Sequence, residues 1–70
     1  MVIVDIKFQD FNERRKMRGA DAASFQIIYP DDESDYIWMS KRDIVKNISQ
    51  FPEFSEELNK GLKAYAGVKP

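Results

Sequence analysis

The chain has no cysteine and no histidine. Without cysteine there is no disulfide and no thiolate nucleophile, and without histidine there is no imidazole base for an ordinary catalytic triad. A structural zinc site would have to be built from carboxylates alone, against the preference of zinc for nitrogen and sulfur. Glycine is nearly as scarce. The three glycines, at 19, 61 and 67, stand too far apart to form a phosphate-cradling loop. No apolar run approaches the ~18 residues of a membrane span. The opening Met1-Val-Ile-Val-Asp-Ile reaches an acid at Asp5, where a signal peptide wants a basic flank and a long apolar stretch. A catalytic pocket of ~300 Å³ or more would compete with the core of so small a fold. The absences together predict a non-enzymatic, cytoplasmic protein with no cofactor, no metal, no membrane association and no small-molecule substrate.

What is present points to a folded domain. Hydrophobic residues make up 43% of the sequence, and one Trp, three Tyr and five Phe are more aromatics than a disordered chain of this length carries. Seventy residues fit one small α+β domain spanning 1–70, with a frayed tail at 67–70. A chain of this size buries only about 60% of its unfolded surface, so its core is thin. Small domains usually add disulfides, a metal or a second subunit. With disulfides excluded and a carboxylate-only metal site against zinc chemistry, self-association or unusually good packing is left.

Periodicity predicts the elements. Val2, Val4, Ile6 and Phe8 alternate with Ile3, Asp5 and Lys7, a strand over about 2–8. Residues 9–22 are mostly polar, with a short helix predicted at 13–18 behind Asn12 as N-cap. Phe25, Ile27 and Tyr29 share one face of a strand at 24–29, and Tyr36-Ile-Trp-Met forms another at 36–39. The polar run 30–35 between them reads as a hairpin turn. Ser40-Lys41-Arg42-Asp43 has the spacing of a capping box and opens a helix over about 41–50, with Ile44, Val45, Ile48 and Phe51 as its apolar stripe. Pro52 ends that helix. A last helix over about 53–66 lines up Phe54, Leu58, Leu62 and Tyr65, and Gly67 is placed to cap it. Gly61 inside it is read as tolerated, with close approach of the preceding helix as the alternative. The fold expected is a three-stranded antiparallel sheet covered on one face by two C-terminal helices.

Three surfaces are candidates for contact. Two helices cover one sheet face, yet both faces of the strands carry apolar groups, so the other face must meet either the 9–22 segment or a protein. Tyr36, Trp38, Ile28 and Met39 are the candidate partner-binding residues there, tyrosine and tryptophan being favoured interface anchors. Arg14, Arg15 and Arg18, with Lys41 and Arg42 at a helix N-terminus, are the candidate anion or nucleic-acid contacts. The first twenty residues net +2, whereas 21–40 hold five acids and no base, which makes the chain dipolar rather than generally basic. Asp31, Asp32, Glu33 and Asp35 resemble a calcium loop in composition only. Counted from Asp31, the sixth and twelfth positions are Tyr36 and Arg42, where such a loop needs Gly and Glu. The function expected is regulatory or accessory action through protein binding, with self-association into a homodimer among its forms. A nucleic-acid-binding module and a structural or assembly component of a larger particle are the alternatives.

Overall fold

Period-two patterning builds the sheet. The computed structural model describes residues 2–67. The order is β1 (Asp5–Phe11), α1 (Glu13–Met17), β2 (Ala23–Ile28), β3 (Ser34–Met39), α2 (Lys41–Gln50), a 3₁₀ turn (Pro52–Phe54) and α3 (Ser55–Gly67). The sheet is antiparallel in the order β1-β2-β3, with C-terminal helices packed on one face, as the patterning predicts.

The first strand lies three residues later than the alternation suggests. Asp5 pairs with Ile28, the last residue of β2 before Pro30 bends the chain away, and Val4 N–H still donates to the Ile28 carbonyl at 2.8 Å. Nothing further along β2 remains to pair with Val2. Val2 and Val4 are exposed, and Ile3 packs against the core in their place. At the other end a bulge at Gln9 carries the strand on. Phe8 pairs with Phe25 and Asp10 with Ser24, so one extra residue resets the alternation. Phe11 thereby returns to the core face, where its ring meets Tyr65 edge-on at 4.9 Å. β3 starts earlier than its apolar run, because Ser34 and Asp35 pair with Ile28 and Ile27. The turn between the strands contracts accordingly, with Tyr29 N–H donating to the Glu33 carbonyl and Asp32 taking a left-handed conformation (φ 61°).

The helices begin where their caps dictate. Asn12 accepts from Arg15 N–H at 3.2 Å, and Ser40 and Asp43 close the capping box in both directions. Pro52 opens the 3₁₀ turn, and Ser55 is the first residue of α3. Gly67 belongs to the last turn of α3, and the rest of the expected frayed tail lies outside the described residues.

The core is Ile6, Ala22, Ala23, Phe25, Ile27, Met39, Ile44, Leu58 and Tyr65. Gly61 is a close approach, not a tolerated defect. A Cβ there would lie 2.5 Å from Phe25 Cζ and 3.0 Å from Ile44 Cδ1, so the bare backbone of α3 is what admits the Phe25 ring and α2 together. Val45 leaves the expected stripe of α2 and is exposed, so Ile44 and the half-buried Ile48 attach that helix.

Candidate binding surface

Alternation in β2 and β3 decides what faces away from the helices. Ala23, Phe25 and Ile27 point inward, paired with Met39, Ile37 and Asp35. Ser24, Gln26 and Ile28 point outward, paired with Trp38, Tyr36 and Ser34. Ile28, Tyr36 and Trp38 are thus brought onto one open face. Met39 is not. It lies an odd step from Trp38, faces the helices and is 2% exposed, so it belongs to the core and leaves the candidate set.

Ile37 takes its place among the exposed residues. It is on the helix-facing side yet 38% exposed, because α2 packs mainly on α3 and stops short of the β3 edge. Tyr36 is 67% and Trp38 40% exposed, and every residue from Ser34 to Trp38 is open to solvent. From Ser34 to Ile37 β3 is therefore open on both faces, and among the described residues no strand pairs with its outer edge. An edge position lets an inward-phased residue stay wet, which the alternation alone does not reveal.

The 9–22 segment meets the open face at Trp38 and, where Gln9 Nε2 donates to Gln26 Oε1 at 3.3 Å, at the middle of β2. The Arg15 guanidinium carbon lies 4.0 Å from the Trp38 ring centroid, and Arg15 Nε donates to the Asp21 carbonyl at 2.6 Å. Arg15 is thereby tied into the sheet surface and separated from Arg14 and Arg18, which border an open hollow beside the exposed Met17.

The strand register gathers the basic clusters at one end. Phe11, Ala23 and Met39 are paired in succession, so α1 and the start of α2 leave the sheet at the same end. Arg14, Arg18, Lys41 and Arg42 are all exposed there. The Asp43 carboxylate and the Ser40 hydroxyl already occupy the first turn of α2, which lowers its appeal to an anion.

The opposite end is acidic. Asp31, Asp32, Glu33 and Asp35 surround the β2–β3 turn, and among the described residues no group of three carboxylates is arranged to hold a metal ion. Partial burial, then the hydrogen bond that the Tyr29 hydroxyl donates to Asp35 Oδ2 at 3.1 Å, holds the phenol above its ordinary pKa. Among the described residues no helix is long and apolar enough to cross a membrane.

The two sheet edges differ sharply. On β1, Ile6 N–H donates to Asp5 Oδ1 at 2.8 Å and Phe8 N–H to Glu57 Oε1 at 3.1 Å. Those carboxylates, the bulge and Lys7 guard that edge in the ways natural sheets do. β3 has no lysine, proline or bulge between Ser34 and Met39. Comparison of the chain with family models, curated proteins and solved structures finds no match in any of the three.

Proposed function

We propose that this chain is a small non-enzymatic binding protein, and that β3 is the element with which it grips a protein. The observation that supports this reading is the exposure of Tyr36, Ile37 and Trp38 on a strand whose one charge is Asp35 and whose edge lacks the lysine, bulge and carboxylate-held amides of β1. Exposed aromatics and an open backbone edge together suit strand addition, where main-chain hydrogen bonds supply affinity and side chains supply choice. Affinity purification from the native cell, with wild type and Ile37→Lys as baits, tests it. The wild-type chain is expected to retain a protein, itself included, that the variant loses, with unchanged circular dichroism. Binding by purified components should map to residues 34–38. Equal retention by both baits, or no specific protein on the wild type, overturns the reading.

A second reading is favoured by the convergence of Arg14, Arg18, Lys41 and Arg42 at one end of the sheet. It makes that end a nucleic-acid contact. The expected result is a gel shift at about 50 mM salt that disappears by about 200 mM and on exchange of those residues for alanine. Absence of binding at the lower salt sinks it.

A further inference from the structure

Resting on the binding role of β3, we infer that its occupant is β3 of a second copy, paired antiparallel across a two-fold axis at Ile37.

The direction of the backbone groups comes first. The amides of Ile6 and Phe8 are held by carboxylates, so they point away from β2. Their partners Ile27 and Phe25 therefore aim their own amides at β3, because antiparallel pairs alternate. On β3 this turns Asp35 and Ile37 toward β2 and leaves the amides and carbonyls of Tyr36 and Trp38 directed at the free edge. A two-fold axis at Ile37 sets Tyr36 of each copy opposite Trp38 of the other, which brings those outward groups together as hydrogen-bonded pairs.

Side chains select the same register. Centred on Ile37, the exposed apolar residues all meet apolar residues: Tyr36 with Trp38 twice, and Ile37 with itself. A centre at Tyr36 would set Ile37 against Asp35, and a centre at Trp38 would set Tyr36 against the helix cap Ser40.

Charge selects the antiparallel sense. The acidic residues Asp32 and Glu33 precede β3, and the basic residues Lys41 and Arg42 follow Met39. Antiparallel pairing brings the acidic turn of each copy to the basic start of α2 of the other, whereas parallel pairing stacks Asp35 on Asp35. An edge of six residues gives an interface below about 1,200 Å², so the expected association is weak and reversible.

Sedimentation equilibrium on the purified full chain tests the pairing. The mass is expected to rise with concentration from 8.2 kDa toward twice that value, and to stay monomeric for Ile37→Lys. Single-cysteine scanning tests the register, cleanly because the chain has no cysteine of its own. Residues facing themselves across a non-hydrogen-bonded pair have Cα atoms about 4.5 Å apart, within disulfide reach. Ile37→Cys should oxidise to a linked dimer at least tenfold faster than Asp35→Cys, Tyr36→Cys or Trp38→Cys. Faster linkage at 36 or 38 overturns the register. A strict monomer at several hundred micromolar overturns self-pairing, while β3-dependent capture of a different protein would leave the binding reading standing.

Discussion

At the scale of single residues, the Tyr65 hydroxyl closes the end of the β2–β3 ladder, where Ala23 pairs with Met39. It accepts from Ala22 N–H at 2.8 Å and donates to the Met39 carbonyl at 2.6 Å, both buried. Tyr65→Phe keeps the ring against Phe11 and leaves the Ala22 amide without its partner. The expected loss is about 1–3 kcal/mol, the cost of a buried unsatisfied group, read as a lower urea midpoint at unchanged slope. Gly61→Ala works through volume instead. Alanine would gain roughly 0.5–1 kcal/mol of helix propensity, but its methyl meets Phe25 and Ile44. Overpacking costs about 1–3 kcal/mol, so the net change is destabilising. Phe25→Leu in the same chain should recover part of it, and a stabilised Gly61→Ala would refute the close packing. The sequence alone settles neither role, although close approach is one of its two readings of Gly61. Gly61 looks like a defect in a helix, because what faces a glycine is decided by residues 36 and 17 positions away.

At the scale of elements, legibility follows locality. The Ser40–Asp43 box, the Asn12 cap and the alternation of β2 are set by neighbours within four residues, and the sequence shows them. The bulge at Gln9 is not visible, since one inserted residue makes Gln9-Asp10-Phe11 look like the start of a polar loop although it is paired strand. Ser34 and Asp35 misled in the same way, because an edge strand tolerates polar residues that composition assigns to a turn. Of the candidate surface, Tyr36 and Trp38 could be read from their phase. Ile37 could not, since its exposure depends on where α2 comes to rest. The guard on the β1 edge is equally non-local: Glu57 reaches Phe8 across 49 positions. Its carboxyl sits below the ordinary glutamate pKa, chiefly through the ion pair with Lys60 and further through the Phe8 amide. A lowered folded pKa means that the contribution is complete above the ordinary glutamate value and is lost as pH falls through the folded one. The stability difference between wild type and Glu57→Gln should therefore be constant from neutral pH down to that range and shrink below it. A difference independent of pH would show that Glu57 acts through packing alone.

At the scale of the whole molecule, charge is sorted along the strands. The acidic turn and the basic end are separated by the six residues of β3, about 20 Å at strand rise. That is more than twice the Debye length of about 8 Å at physiological salt. Within one copy the two poles barely sense each other, so salt should move the folding equilibrium little. Across an antiparallel pair of copies, opposite poles come into contact, and salt should move association. Raising NaCl from about 0.1 to about 0.5 M is expected to weaken dimerisation about tenfold, the sum of several exposed charge contacts worth a few tenths of a kcal/mol each. The urea midpoint, measured well below the dissociation constant so that association adds nothing to stability, should stay nearly constant over the same range. Dimerisation that strengthens with salt would mean that Tyr36, Ile37 and Trp38 drive pairing without help from the poles, and would remove the charge argument for the antiparallel sense.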